Sequence, residues 1–285
     1  MIICHKKKFI FFKPIKTAGS SVEAALSQFC DESDVITGSL ILSEIDDERY
    51  DLSPRNNWRK SRVISGDEAR DYLERHGRSD LWSTGYKRFK IVDDIIYDEH
   101  TSPAMLESTG FDTSGYKGIS MVRNPYALLV SYYWWSYHSS FMDSVSYTKD
   151  EQQKMIVNQN ASLSPNPSDT ADKIRYKFEN FLNMPVYVKR HTRPCDGDKS
   201  VIQWLSAWLN EFFLSSVDYM IRFENIESDF TDVCNMLGHP PPEIPRFKTK
   251  IRRSNFPYGD YYTDEAGKLV GELYSDAIKR FRYSL

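Results

Sequence analysis

The sequence predicts an α/β fold: a three-layer α/β/α arrangement with a mainly parallel central sheet. Three observations predict it. Short apolar runs at 9–12, 118–122 and 217–222 read as core strands, the first with the unbroken apolar run of a strand buried on both faces. Each run is followed by a stretch that reads as a helix, and this alternation argues for parallel pairing with helices on both faces. The joint after the first run carries Pro, Gly and hydroxyl residues, and the joint after the second carries Asn124 and Pro125, which suit a turn into a helix.

Taken in order, Phe9 to Phe12 is the first strand and Lys13 to Gly19 a loop. Ser20 and Ser21 are hydroxyl caps for a helix through Val22 to Leu26, with Glu23 in its first turn. Residues 31–70 are polar and irregular and read as a surface excursion. Residues 89–92 and 95–97 are short apolar pieces. Pro103 suits the first position of a short helix ending near Ser108. The second strand, Gly118 to Val122, runs into Asn124 as N-cap and Pro125 at the first helical position. That helix should reach Ser136. Residues 140–169 form a second polar excursion. A helix over 170–182 and a strand over 184–189 follow. Val201 to Phe213 places Trp204, Leu205, Trp208, Leu209, Phe212 and Phe213 on one helical stripe. Residues 217–222 form the third strand. A helix over 226–237 ends at Gly238 before three prolines. A basic, aromatic segment over 248–262 precedes a single last helix over 263–281. The whole of 1–285 reads as one domain, which suits an α/β chain of this length.

Bulk properties narrow the function. With 37 basic and 40 acidic side chains the formal charge is −3. No global basic field exists to gather nucleic acid, so an anionic ligand must be held by local charges and backbone N–H groups. The apolar run near the N-terminus is too short for a signal-peptide core, and no stretch approaches the ~20 apolar residues of a membrane span. These features predict a cytoplasmic protein. Cys4, Cys30, Cys195 and Cys234 form no CxxC pair and no zinc-finger spacing, so they read as reduced thiols.

Two constellations carry chemistry. In the first, Lys13-Pro-Ile-Lys-Thr-Ala-Gly-Ser-Ser21, a strand ends in a turn and a helix begins. Such a joint aims several backbone N–H groups and the positive end of a helix dipole at one point. Lys16 adds a full charge, Thr17, Ser20 and Ser21 add hydroxyls beside Ala18, and Gly19 permits close backbone approach. It is not the ATPase loop, because with Lys16-Thr17 at its end that pattern needs Gly at positions 10 and 15, where Ile10 and Ile15 stand. In the second, Arg123 follows the second strand, where open α/β sheets bind ligands, and Ser131 lies about two turns into the next helix. An arginine fork there suits a second phosphate.

Together the two motifs resemble the superfamily of sulfotransferases that use 3′-phosphoadenosine 5′-phosphosulfate (PAPS), in its carbohydrate-type and bacterial branch. Pro14 to Ser21 matches the family pattern Pro-x-Lys-Thr-[Ala/Gly]-Gly-[Thr/Ser]-Ser, and Arg123-Asn-Pro-Tyr126 with Ser131 matches its second pattern in order and spacing. The segment around His100-Thr-Ser102, the stretch Ile221 to Glu227 and the basic segment before the last helix are also similar. The match is weakest over 140–199, and Ala127 and Leu128 stand where many relatives have Arg or Glu-Arg.

The resemblance implies a P-loop-like nucleotide-binding core. It assigns the 5′-phosphosulfate to Lys16, Thr17, Ala18, Gly19, Ser20 and Ser21, and the 3′-phosphate to Arg123 and Ser131. Lys248, Arg252 and Arg253 close over the 3′ side. Lys16 meets the leaving oxygen and His100 is the base, with Glu99 and then His138 in reserve. The implied acceptor is a hydroxyl, with carbohydrate favoured over lipid or small-molecule alcohol. No metal is required, and no nucleic-acid partner or membrane span is expected. The aromatic run Tyr132 to Trp135 with Tyr137 reads partly as core and partly as an acceptor wall. Two other readings compete. A kinase using ATP and Mg²⁺ predicts a Walker loop and a strand-terminal Asp, for which Asp93 is a weak candidate. A non-catalytic nucleotide- or glycan-binding module predicts the grip without a base.

Overall fold

The structure is a computed structural model, and it describes residues 1–37, 49–56, 58–63, 90–95, 97, 99–137, 161–188, 195–247 and 251–285. The chain forms two compact units: Met1–Val122 with Ser216–Phe247, and Arg123–Ser215 with Lys248–Leu285. Among the described residues the fold is mixed α/β.

The first unit is built on a five-stranded sheet: β1 (Ile2–Cys4), β2 (Phe9–Phe11), β3 (Val35–Ile36), β6 (Lys117–Val122) and β9 (Tyr219–Arg222), in the order β3-β1-β2-β6-β9. The expected strands pair as foreseen. Phe11 lies beside Ile119 and Met121 beside Ile221, both in parallel. The expectation of a mainly parallel sheet is corrected, because β1 runs antiparallel to both β2 and β3. Met1 to Cys4 precede three lysines, and the sequence assigns them no element. Instead His5 to Lys8 form a tight turn, with Lys8 in the left-handed region at φ 55°, and return the chain as a hairpin.

Side chains of a strand alternate between faces. Ile2, Cys4, Phe9, Phe11, Ile119, Met121 and Ile221 accordingly share one core with Val22, Ala25 and Leu26 of α1 (Gly19–Ser27). Phe230, Val233 and Cys234 of α6 (Ile226–Met236) join the same core, so both helices serve one face of the sheet. Residues 31–70 are not wholly an excursion. They supply β3, the buried Tyr50 and Leu52, and β4 (Trp58–Val63). The latter pairs antiparallel with β5 (Lys90–Ile95) in a separate two-stranded sheet. α2 (Pro103–Ser108) begins as expected, its N-cap Ser102 Oγ accepting the Met105 N–H.

The second unit holds α3 (Pro125–Ser136), α4 (Ala171–Asn183), the antiparallel pair β7 (Pro185–Val188) and β8 (Cys195–Ser200), α5 (Val201–Phe213), α7 (Asp264–Leu273) and α8 (Ser275–Phe281). Asn124 caps α3 by accepting the Tyr126 N–H at 3.0 Å. Phe178 of α4 meets the rings of Tyr133, Tyr261 and Tyr262 at centroid distances of 5.1–5.6 Å, within the range of favourable aromatic pairs. The expected last helix is two helices. Tyr274, fully buried, caps the end of α7 and the start of α8. No Gly or Pro marks that break, which is why the pattern reads as continuous. Of the second excursion, residues 161–169 are described. Leu163 and Asp169 there are buried, and Asp169 pairs with Lys177 at 2.6 Å.

Candidate functional site

The turn from β2 into α1 differs in detail from the expectation. The helix begins at Gly19, its N-cap is Ala18, and no side chain caps it. Ser20 and Ser21 therefore lie inside the first turn and Glu23 beyond it. The chain makes this joint with Lys16 at φ 60° and Ala18 at φ 65°. Left-handed backbone costs a non-glycine residue about 1–2 kcal/mol. Such outliers cluster at ligand sites. Ala18 followed by helical Gly19 is a left–right pair, the backbone form that gathers N–H groups into an anion-binding concavity. The first amides of α1 add to it, since helix N-termini leave them without intrahelical acceptors.

The side chains divide into two groups. Lys16, Ala18 and Ser20 are half-buried at the surface of the turn. Thr17 is turned inward: its hydroxyl is fully buried and donates to the Pro14 carbonyl at 3.0 Å. This bond engages the hydroxyl with the backbone of its own turn. Gly19 also has a packing purpose: a Cβ there would lie 2.5 Å from Lys13 Cγ, so the missing side chain makes room for a lysine.

That lysine anchors a network the sequence reading missed. Lys13 is 1% exposed, and its Nζ sits 2.6 Å from Glu23 Oε2 and 3.0 Å from Glu99 Oε2. Burial alone would lower the Lys13 pKa, but the two carboxylates outweigh it and raise it. Burial likewise pushes the Glu99 carboxyl up, yet Lys13 and His100 together bring it down to about 2. Glu23 Oε1 also meets the Met1 nitrogen at 2.6 Å. The available signal was an acid inside an otherwise apolar helix, Val22-Glu-Ala-Ala-Leu26, which demands a buried partner.

His100 is bound to the same network. Its Nδ1 is 2.7 Å from the Lys13 carbonyl oxygen, which can only accept. Nδ1 therefore carries a proton, and in the neutral ring Nε2 carries the lone pair. Glu99 Oε1 stands 3.6 Å from Nε2. An imidazole so held can take a proton at Nε2, and the neighbouring carboxylate stabilises the cation that results. Glu99 itself, acidified to about 2, is a weak base. The structure thus brings His100, Glu99 and the Lys13 end of the turn together within the first unit.

The other assigned residues belong to the second unit. Arg123 is the residue after β6 and is half-buried, as is Ser131 in the middle of α3. Arg252 is exposed, donates to the Phe256 carbonyl and lies over the Tyr261 ring at 5.5 Å. Arg253 is exposed. Lys248, His138 and Asp93's side chain lie outside what is described. The aromatic run is mostly core. Tyr132, Tyr133 and Trp134 are buried, the Tyr133 hydroxyl donates to Leu163 O at 2.6 Å, and Trp134 Nε1 donates to the Tyr261 hydroxyl at 2.9 Å. Trp135 and Tyr137 are half-buried.

No protein-family profile, no curated protein and no solved structure matches the chain. No helix among the described residues is long and apolar enough to cross a membrane.

Proposed function

We propose that the chain is a sulfotransferase that moves a sulfuryl group from PAPS to an acceptor hydroxyl, with a carbohydrate as the favoured acceptor. One observation carries the reading: the left-handed turn through Lys16 and Ala18 opens onto the α1 N-terminus, while Lys13 of the same turn holds His100 by its carbonyl oxygen. In this reading the base is held by the turn that forms the anion cradle. The motif resemblance supports the choice of nucleotide.

In this reading the amides of Thr17 to Ser20 and the Lys16 ammonium hold the 5′-phosphosulfate. Arg123 and Ser131 are assigned the 3′-phosphate, with Arg252, Arg253 and Lys248 as closing residues. The bond from acceptor oxygen to sulfur forms as the bond from sulfur to the bridging oxygen breaks. His100 Nε2 receives the acceptor's proton, and Lys16 neutralises charge growing on the departing oxygen. Positioning and charge stabilisation are what such a transfer needs.

Titration calorimetry with 3′-phosphoadenosine 5′-phosphate (PAP), in the presence of chelator, tests the grip. One site per chain is expected, weakened at least tenfold by Lys16→Ala. Binding of ATP with Mg²⁺ in preference to PAP would favour a kinase. A labelled-sulfate assay over sugars, lipids and small alcohols tests catalysis. PAP binding with no transfer to any acceptor would leave a binding module.

A further inference from the structure

Cys4 and Cys30 are far apart in sequence, which is why no metal spacing appears there. The fold brings them together. Cys4 closes β1, Cys30 follows the end of α1, and Asp34 leads into β3 beside β1. The two sulfurs and a carboxylate oxygen lie within 4.8 Å of one another. Cys4 Sγ is 3.4 Å from Asp34 Oδ2. In a tetrahedral zinc site, with Zn–S near 2.3 Å and Zn–O near 2.0 Å, the S···O edge is about 3.5 Å and the S···S edge about 3.8 Å. The S···O edge already has that length, and the sulfurs reach theirs with a side-chain adjustment of about 1 Å or less.

The surroundings suit a cation. Asp34 Oδ1 accepts the His5 N–H at 2.6 Å and Oδ2 accepts the Asp31 N–H at 2.8 Å, so backbone amides fix the carboxylate's orientation. Outer hydrogen bonds of this kind hold metal ligands in place. Cys4 and Asp34 are fully buried, while Cys30 is half-buried and offers a way in. The Phe29 carbonyl lies 3.5 Å from Cys4 Sγ and the Leu26 carbonyl 3.7 Å from Cys30 Sγ. These belong to the carbonyl end of α1, whose dipole favours positive charge. Two sulfur donors select a zinc-class ion over magnesium or calcium.

We propose that Cys4, Cys30 and Asp34 bind one zinc-class divalent ion, with water completing a tetrahedral set. Binding releases the two thiol protons, and the ion ties the end of β1, the end of α1 and the approach to β3 together. The site is separate from the proposed sulfuryl-transfer residues, and its test does not depend on them.

The reduced, chelator-stripped full chain is titrated with Co²⁺, reading thiolate-to-cobalt charge-transfer absorption, and Zn²⁺ is then added. One equivalent of Co²⁺ should saturate the band and Zn²⁺ should abolish it. Cys30→Ser should bind at least tenfold more weakly, whereas Cys234→Ala should leave the band unchanged. A band that survives Cys30→Ser, or no band in the reduced protein, overturns the proposal. Alkylation mapping of the unsubstituted chain gives a reading that needs no variant. Zn²⁺ should slow labelling of Cys30 at least tenfold, and equal labelling with and without Zn²⁺ overturns the site.

Discussion

Lys13 is buried against two carboxylates, and its neighbours set how the protein should respond to acid. Glu99 is held at about 2 in the fold against about 4.3 in an unfolded chain. A depressed carboxylate contributes stability that is fully present above the unfolded value and is lost as pH falls toward the folded one. The melting midpoint should therefore drop between about pH 4.3 and 2, and Glu99→Gln should make that drop shallower. Lys13 works in the opposite sense: its raised pKa gives stability that is present below the unfolded value and fades at strongly alkaline pH. An acid limb unchanged in Glu99→Gln would show that Glu99 is not coupled to Lys13. Gly19→Ala should lower stability by about 1–3 kcal/mol in a denaturant titration, because its Cβ has no space beside the Lys13 stem. Under the proposed function, His100→Gln should reduce turnover about 10²–10⁴-fold while PAP affinity in calorimetry stays the same. Full turnover would remove His100 from the base role.

The elements were legible where local chemistry dictates them. Asn124 and Pro125 announce α3, Ser102 and Pro103 announce α2, and the apolar stripe from Val201 to Phe213 has the bounds of α5. Illegible features depend on partners remote in sequence. The β1–β2 hairpin hides behind three lysines, β4 and β5 pair across residues that read as loop, and the Lys13–Glu23–Glu99 cluster joins three separate segments. The turn into α1 falls between these cases. Its residue types signalled an anion cradle, but Ala18 carries the N-cap geometry without a capping side chain. Ala18→Gly should therefore hold or raise stability by up to about 1 kcal/mol, since glycine relieves left-handed strain while adding chain entropy in the unfolded state. A clear loss in chemical denaturation would mean that the strain is absent. In α3, Tyr133→Phe should cost about 1 kcal/mol by stranding the Leu163 carbonyl, readable in the same experiment.

At the scale of the whole molecule, each compact unit is assembled from two stretches of chain. The alternation of strands and helices revealed the α/β class, but not this interleaving, because composition carries no record of which distant stretches pack together. The first unit takes β9 and α6 from Ser216–Phe247, and both contribute to its core. A chain stopped after Ser215 should fail to melt cooperatively, since it lacks Ile221, Phe230 and Val233. A sharp transition in calorimetry would show the remaining strands to be self-sufficient. The net charge of −3 places any anion attraction in local groups, so under the proposed function PAP affinity should weaken only modestly from low to physiological salt.

The parallel pairing of β6 with β9 has a consequence for synthesis. Ile119 waits for Tyr219, which leaves the ribosome about a hundred residues later, roughly 5–20 s at ordinary translation rates. Over that interval the nascent chain carries an unfinished sheet, with the apolar flank of β6 open to whatever it meets first. Chaperone capture should therefore concentrate on ribosome-bound chains that have emerged past Val122 but not yet past Arg222.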